Sequence, residues 1–247
     1  MEENKMTVRA VDRALDILLC FTEASELGLT EIATRVGLHK STAYRLLTSL
    51  EHKGFVIRDE ATEKYRLGFR VWELSANLSH ADDPAVVLLP EMERLRDAVD
   101  ETVSLYVRDG KERIRIQAVQ SRQPVRSVAP VGARLPLFFG ASGKTLIAFA
   151  SEDERKMLLA DEMWPPGLDR EAFLAQLDEI RRKGYAISVE EREPGAASVS
   201  APIFNRSGKL VAALAVTGPA GRWTVGKMKG HAGLLIEAAR RMGKMVR

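Results

Sequence analysis

Side chains that ligate metals are few in this sequence and stand far apart. Cys20 is the only cysteine, so it has no partner at the C-x-x-C spacing of many metal sites. None of the histidines forms an H-x-x-x-H or H-E-x-x-H pair, which argues against zinc hydrolase chemistry. We therefore predict no metal site and no bound cofactor. The four histidines are His39, His52, His80 and His231.

Two further motifs suggest phosphate binding or proton transfer, but neither has the required pattern. GASGKT at 140–145 invites comparison with a phosphate-binding loop, which needs a glycine where Phe138 stands. The acidic run VEEREPG at 189–195 could pair carboxylates as acid and base, but its Pro-Gly ending is typical of a solvated loop. No set of nucleophile, base and orienting group emerges, so we predict no catalytic residues.

The segment HKSTAYRLLTSLEHKG at 39–54 carries the side chains best suited to bind nucleic acid. Its apolar residues recur at helical spacing and can pack against the rest of a domain. Cationic and hydroxyl side chains occupy its other faces, where a recognition helix presents them to phosphates and base edges in the major groove. The apolar stripe consists of Ala43, Leu46, Leu47 and Leu50. The candidate DNA-binding residues are Lys40, Ser41, Thr42, Tyr44 and Arg45.

Two short β-prone runs, FVIRD and KYRLG, follow this helix and are separated by the polar residues EATE. This pattern predicts a two-stranded hairpin. Lys64 and Arg66 lie two residues apart on one strand and share a face, while Tyr65 points to the other face, toward the helices. Together with Arg58 on the first strand, Lys64 and Arg66 are predicted to contact DNA.

Two further helices must precede the recognition helix and the hairpin to complete the domain. After the break at Gly28, Thr30 can cap a short helix that ends near Gly37. An earlier helix in TVRAVDRALDILLCF carries an apolar stripe. The order of helix, helix, turn, helix and hairpin is that of a winged helix-turn-helix. The residues of the apolar stripe are Val11, Leu15, Leu18 and Leu19.

The net charge of +3 is too small to indicate a nucleic-acid partner by itself, but the charge is unevenly distributed. Residues 1–79 hold 11 basic and 12 acidic side chains, whereas residues 35–70 hold eight basic and four acidic ones. Positive charge is therefore concentrated where the predicted recognition helix and hairpin lie.

The remainder of the chain predicts an α+β domain. FRVWELSANLSHADDP indicates a linker helix, and the patterns after it indicate a sensing domain with a curved antiparallel sheet. At 113–118, Ile and Ala alternate with Arg113, Arg115 and Gln117, which predicts a buried apolar face and a wet arginine face. The predicted parts are a DNA-binding domain at 1–68, a linker helix at 69–80 and a sensing domain at 81–247.

A length of 247 residues, with 45% hydrophobic and 29% charged residues, fits two domains of a folded globular protein. No window approaches the run of apolar residues that a membrane span needs, and MEENKMTVRA lacks the apolar stretch of a signal peptide. We therefore expect a cytoplasmic protein with no membrane partner.

Taken together, these motifs resemble a known family. VDRALDILLCF, GLTEIATRVGLHKSTAYRLLTSLEHKGFVIRD and KYRLG are similar to the N-terminal half of IclR-type bacterial transcriptional regulators. RLPLFFGASGKTLIAF, GYAISVEEREPG and SAPIFNRSGKLVAALAVTGP are similar to the effector-binding domain of that family. The resemblance covers nearly the whole chain. It implies a winged helix-turn-helix, a linker helix, a GAF-like effector-binding domain, and a homodimer or dimer of dimers on operator DNA.

The resemblance also implies where a small organic effector binds. Ser188 and Ala215 depart from the more polar or acidic residues of relatives that bind small organic acids. This departure leaves both an acid and an aromatic ligand open as the effector. Carried over position by position, the effector-binding residues are Ala141, Ser142, Ser188, Ser198, Ala215 and Thr217.

The predicted function is a DNA-binding transcriptional regulator whose operator binding is modulated by an effector in the C-terminal domain. The alternative is a ligand-binding or catalytic protein whose N-terminal helical domain serves assembly only. Salt-dependent retention of the N-terminal domain on heparin or duplex DNA separates the two, because phosphate contacts release counterions.

Overall fold

The computed structural model describes residues 7–76, 83–126 and 130–246 of the chain. The chain divides into two compact units, Met1–His80 and Ala81–Arg247. Within the described ranges, no helix has the length and the apolar content needed to cross a membrane.

The first unit has the predicted order of helix, helix, turn, helix and hairpin. Its core joins Ile17, Ile32, Leu47 and Tyr65, one residue from each of the first three helices and one from the hairpin, all at most 2% exposed. The predicted winged helix-turn-helix is therefore confirmed. Its elements are α1 (Arg9–Leu19), α2 (Leu29–Arg35), α3 (Lys40–His52), the antiparallel strands β1 (Val56–Arg58) and β2 (Tyr65–Leu67), and α4 (Phe69–Ala76).

Helix α4 forms the first part of the predicted linker helix. Residues 77–80 of that prediction, with His80, lie outside the described residues. Among the described part, Phe69 and Trp72 are both more than two-thirds exposed.

The apolar stripe predicted for α1 is not a core stripe. Val11, Leu15 and Leu19 are more than half exposed, whereas Ile17, which the stripe left out, is completely buried. The hydrophobic pattern identifies the helix but not the covered face, because α1 carries apolar residues on two faces. The exposed α1 strip consists of Val8, Val11, Leu15 and Leu19.

Helix α2 begins before the residue predicted to cap it. Its N-cap is Gly28, whose backbone N–H donates to the Glu31 carboxylate at 2.8 Å. Thr30 lies inside the helix, so the expectation that Thr30 caps it is wrong. The Glu31 side chain, three residues after the cap, satisfies the free backbone donor instead.

The second unit is a six-stranded antiparallel sheet with helices on both faces, as predicted for the sensing domain. Its strands are β3 (Thr102–Asp109), β4 (Glu112–Val119), β5 (Arg134–Pro136), β6 (Ala186–Val189), β7 (Ala196–Phe204) and β8 (Leu210–Pro219). They lie in the order β5-β4-β3-β8-β7-β6. Its helices are α5 (Pro84–Val87), α6 (Leu89–Val99), α7 (Ala141–Ala148), α8 (Glu152–Leu158), α9 (Arg170–Lys183) and α10 (Val225–Gly243).

Each face of this sheet has its own apolar core. Helices α6 and α10 cover one face, where Val199 and Leu214 are buried. Helices α7 and α9 cover the other, where Ala213 and Leu177 are buried. Successive residues of β7 and β8 point to opposite faces, so the two central strands contribute to both cores.

The face of β4 predicted to be wet is in fact its buried face. Arg113 and Arg115 are only 3% and 2% exposed, while Ile114 and Ile116 are partly exposed. Alternation in a strand separates two faces, but it does not say which of them the fold covers. Here Arg113 lies against the turn that leads into α7.

Two further features differ from the sequence patterns. The apolar run that starts at Pro84 is divided at Leu88 into α5 and α6. Pro90 accounts for the division, because it is tolerated in the first turn of a helix but not in its interior. The edge strand β5 is not predicted, because three residues are too few to show a period of two.

Gly143 of α7 lies where the packing of the second unit leaves no room for a side chain. A Cβ at this position would lie 1.9 Å from the carbonyl oxygen of Leu137 and 2.8 Å from Nη1 of Arg113. Gly233 of α10 is the opposite case, because no atom lies within 4 Å of its Cβ position. The two glycines therefore form a matched pair of helical positions.

We expect Gly143→Ala to lower the free energy of unfolding by roughly 3 kcal/mol or more, because the Leu137 backbone cannot yield without displacing the turn before α7. Gly233→Ala should instead raise it by about 0.5–1 kcal/mol through helix propensity. Urea denaturation of both variants measures the difference. Equal stability of the two variants would contradict the close packing of α7 on this turn.

Candidate ligand cavity and nucleic-acid interface

Five of the six residues expected to bind the effector line one cavity at the N-terminus of α7. Ala141 and Ser142 belong to the helix, Ser188 to β6, Ser198 to β7 and Thr217 to β8. The cavity has a volume of about 40 Å³, which is room for a few water molecules. The cavity opens to solvent, and the space between its walls, counted out to that opening, is about 430 Å³.

The three strand residues of the lining are neighbours across the sheet. Ser188 pairs with Ser198, and Ser198 pairs with Thr217. Since paired residues share a face of the sheet, their side chains form a row of hydroxyl groups, here called the hydroxyl row. Ala215, the sixth expected residue, lies in the next row, where it is buried and outside the cavity lining.

Sequence reasoning missed the most strongly charged part of this cavity, which Arg113 and Arg115 of β4 supply. Nε and Nη2 of Arg115 donate to the Tyr106 hydroxyl at 3.0 and 2.5 Å. Nη1 of Arg113 donates to the carbonyl of Pro136, while its Nε is buried with no hydrogen-bond partner in the described ranges. The sequence feature that could have identified both residues is the placement of two arginines at alternate positions of a strand whose other face is apolar.

Burial lowers the pKa of the Arg113 guanidinium to about 10, and the neighbouring Arg192 and Arg115 act in the same direction. Tyr106 and Glu191 oppose this shift, so the pKa remains well above neutrality. Arg113 therefore keeps its positive charge at neutral pH, although it is almost fully withdrawn from water.

The acidic run at 189–195 is exposed, as predicted, but one of its carboxylates also holds the fold together. Glu191 bonds Nζ of Lys144 and accepts from the backbone N–H of Gly140 at 3.1 Å. Lys144 is 3% exposed and also donates to the carbonyl of Ile187 at 3.3 Å. The pair ties the loop after β6 to the first turn of α7.

The charges of the cavity lining do not balance. Glu193 pairs with Arg192 at 2.7 Å and Glu191 pairs with Lys144, so both acids of the lining already have a cation. No carboxylate of the described residues lies within 4.0 Å of the Arg113 guanidinium. A buried cation without an ion-pair partner is costly, so this cavity suits an anion.

Helix α7 adds hydrogen-bond donors at the same place. The first N–H groups of a helix have no partner within the helix, and Glu191 takes that of Gly140. For Ala141 and Ser142, no acceptor of the backbone N–H is found in the part of the chain that the structure describes. Both residues line the cavity, and free N–H groups at a helix N-terminus favour negative charge.

Helix α3 presents its predicted DNA-binding side chains on an open surface of the first unit. Ala43 and Leu47 are completely buried and hold the helix against α1 and α2. Thr42 lies partly buried beside them. The four exposed residues are Lys40, Ser41, Tyr44 and Arg45.

The N-terminus of α3 is capped by His39, a residue that the sequence patterns did not single out. Nδ1 of His39 lies 2.9 Å from Oγ of Ser41 and also accepts from its backbone N–H at 3.5 Å. The cap fixes the first turn of α3, and it engages a hydroxyl that we expected to be free.

The hairpin exposes Lys64 and Arg66 and buries Tyr65 at 2%, as the strand period predicts. Arg58 donates to the Glu63 carboxylate at 2.8 Å, so part of its charge is neutralised within the hairpin. Of the three predicted wing residues, Lys64 and Arg66 therefore carry the positive charge that is more available to a phosphate.

Family models match both units of the chain. The model described as the IclR helix-turn-helix domain matches residues 10–60. The model described as the C-terminal part of the bacterial transcriptional regulator IclR matches residues 79–244.

Curated relatives align over nearly the whole chain. The transcriptional regulator KdgR of Escherichia coli is 30% identical over 247 residues, covering 98% of this chain and 94% of its own length. The transcriptional repressor AllR of the same species is 29% identical, covering 94% of this chain and 88% of its own length.

Solved structures of similar regulators share the fold of both units. An IclR homolog from Microbacterium hydrocarbonoxydans, complexed with 4-hydroxybenzoate, has a TM-score of 0.82 at 28% identity over 96% of this chain and 99% of its own. A regulator from Alicyclobacillus acidocaldarius has a TM-score of 0.80 at 26% identity over 98% and 100%. These likenesses confirm the predicted fold class.

The pair formed by Glu191 and Lys144 makes a testable contribution to stability. We expect Glu191→Gln to lower the free energy of unfolding by about 1–3 kcal/mol, because it leaves the buried Lys144 ammonium without a charge partner. This is less than a fully buried pair would lose, since a third of Glu191 is exposed. The neighbouring change Glu193→Gln, in an exposed pair, should stay within about 0.5 kcal/mol. Chemical denaturation that finds equal losses for the two variants would contradict this role.

Proposed function

We propose, from the premise that this chain belongs to the IclR family of bacterial transcriptional regulators, that it binds operator DNA through its first unit and a small organic effector in its second. The effector modulates operator binding, and the protein acts in the cytoplasm, where that DNA lies. Helix α3 carries the DNA part of this proposal, because Ala43 and Leu47 anchor it while Arg45 stays exposed.

In this proposal α3 enters the major groove. Arg45 and Lys40 contact guanine edges or phosphates, while Ser41, Thr42 and Tyr44 contact base edges and sugars. Lys64 and Arg66 of the hairpin contact the phosphate backbone beside the groove. Arg58 supports them from the first strand of the hairpin.

The effector occupies the cavity at the N-terminus of α7. The unbalanced charge of Arg113 and the free N–H groups of Ala141 and Ser142 support an acid as the ligand. The 4-hydroxybenzoate bound by a structural relative is itself a carboxylic acid, which is consistent with an acid here. Ser188, Ser198 and Thr217 supply polar contacts, and Ala215 shapes the wall behind them.

Effector and DNA act on one another through the arrangement of the DNA-binding units. An effector shifts DNA affinity only by its differential affinity for two arrangements, typically by about 1–3 kcal/mol, and DNA shifts effector affinity by the same factor. The linker helix that begins with α4 is the connection through which the change passes.

The regulator acts as a homodimer or dimer of dimers, and the exposed α1 strip supports the homodimer. The four residues of the strip recur at one face of α1 and are all more than half exposed. Contiguous exposed apolar surface marks sites of protein association. Two copies of α1 therefore bury this strip against each other.

The first test of the proposal is the substitution Arg45→Ala, measured on the full-length protein. If Arg45 reads a guanine, binding to selected duplex sites falls by ~1–3 kcal/mol and the preference at one base position relaxes; if it holds a phosphate, all sequences weaken and the slope of log K against log salt falls by about 1. Arg182→Ala, an exposed cation of α9 in the second unit, serves as the control. Unchanged binding of Arg45→Ala to every duplex would reject the α3 interface.

A second test addresses the dimer. Leu15→Asp places a charge in the middle of the α1 strip without opening the core, because Leu15 is already half exposed. We expect the wild type to sediment as a dimer or larger and the variant to sediment as a monomer with an unchanged melting temperature. A wild-type monomer, or a variant with the wild-type mass, would rule out this surface.

A further inference from the structure

We propose that the effector is a hydroxylated carboxylic acid, of the type of glycerate or gluconate, and not an aromatic acid. This inference rests on the proposed effector function of the cavity. Its carboxylate lies at the N-terminus of α7 beside Arg113, and its hydroxyl groups lie along the hydroxyl row.

The hydroxyl row gives this cavity a floor of neutral hydrogen-bonding groups. Ser188, Ser198 and Thr217 follow one another on β6, β7 and β8, and Thr102 of β3 continues the row opposite Thr217. A hydroxyl group is both donor and acceptor, so it suits another hydroxyl group, which offers the same two functions. An aromatic ring laid on this floor would remove water from the row without replacing its hydrogen bonds.

The next row of paired residues on the same face of the sheet, which contains Ala215, supplies a second observation. Ser104 and Ser200 flank Ala215 on the neighbouring strands, and both are completely buried. Their Oγ atoms have no hydrogen-bond partner in the part of the chain that the structure describes. Buried polar groups are normally satisfied, so these two hydroxyls add to the unmet hydrogen-bonding capacity around Ala215.

The opposite side of the cavity supplies the site for a carboxylate. Arg113 is nine-tenths or more buried, its Nε lacks a partner in the described ranges, and the acids of the lining are already paired with Lys144 and Arg192. The free N–H groups of Ala141 and Ser142 point to the same charge type. One carboxylate of the ligand therefore pairs with Arg113, and the hydroxyl row remains available to neutral groups of the ligand.

The lining also lacks what an aromatic effector would need. Its one aromatic residue is Tyr106, whose hydroxyl accepts two hydrogen bonds from Arg115. Among the other lining residues, Leu135 is the largest apolar side chain. Binding sites for aromatic ligands are instead lined mainly by apolar and aromatic side chains.

Calorimetric titration of the full-length protein with a matched set of small molecules tests the inference. The set contains the hydroxy acids glycerate, threonate and gluconate, the neutral polyol glucitol, hexanoate as an acid without hydroxyls, and 4-hydroxybenzoate. We expect at least one hydroxy acid to bind at least about tenfold more tightly than glucitol, hexanoate or 4-hydroxybenzoate, the factor that one well-placed hydrogen bond provides.

Two conservative variants locate the contacts. Ser198→Ala and Thr217→Val each remove one hydroxyl and should weaken the bound hydroxy acid about tenfold while leaving hexanoate unchanged. Ser207→Ala, which removes an exposed hydroxyl from the turn of the same hairpin, should change neither. Melting temperatures of the three variants show that each remains folded.

Several outcomes would overturn the inference. These are tighter binding of 4-hydroxybenzoate than of every hydroxy acid, equal weakening of hexanoate and the hydroxy acid by Ser198→Ala or Thr217→Val, and no binding of any hydroxy acid at millimolar concentration. A hydroxy acid that binds as expected but leaves DNA affinity unchanged supports this inference and counts against the proposed regulatory function alone.

Discussion

The buried guanidinium group of Arg113 is the constraint on which the second unit depends. The guanidinium group donates a hydrogen bond to the Pro136 carbonyl. Its nitrogen atoms also lie 3.0 Å from the position that a Cβ of residue 140 would take and 2.8 Å from that of residue 143. The turn into α7 can therefore approach β4 only with glycine at both places. A cation this deep costs stability when it has no ion-pair partner, so folding alone does not account for its position. The anionic effector that we propose would supply the missing charge partner.

The two units use positive charge in opposite ways. In the first, Lys64 and Arg66 stand in water, so the proposed contact with DNA would draw on long-range attraction and on counterion release. In the second, Arg113 is withdrawn from water and its field reaches only a ligand that enters the cavity. Added salt screens exposed charges much more than buried ones, so it weakens the first interaction and largely spares the second. Under the proposed function, the strength of DNA binding and the selectivity for a small acid would therefore respond differently to salt.

Periodicity recovers much of the fold but not the direction in which each element faces. The stripe on α3 is confirmed, because Ala43 and Leu47 are completely buried and Leu46 and Leu50 pack, partly buried, against the same core. The stripe on α1 and the wet face of β4 are wrong, because apolar residues can stay exposed on a helix and arginines can be buried on a strand. Five of the six residues expected to bind the effector line one cavity, but they were identified through the family resemblance and not through any local pattern. The alternation of Arg113 and Arg115 is visible in the sequence, but the place of Arg113 beside the cavity depends on a turn more than 20 residues away, which no local pattern reveals.

The alternation of β7 and β8 separates what holds the second unit together from what it recognises. On these strands Val199 and Leu214 face the α10 core, while Ser198 and Thr217 face the cavity. Ser198 lies between the core residues Ala197 and Val199, and Thr217 follows the core residue Val216, while both cavity residues face the opposite layer. Substitutions at every second position of these strands can therefore alter the lining of the cavity without altering the packing of α10. Under the proposed function, a change of effector needs no change in the α10 core, so single substitutions on one face of the sheet are compatible with a folded protein.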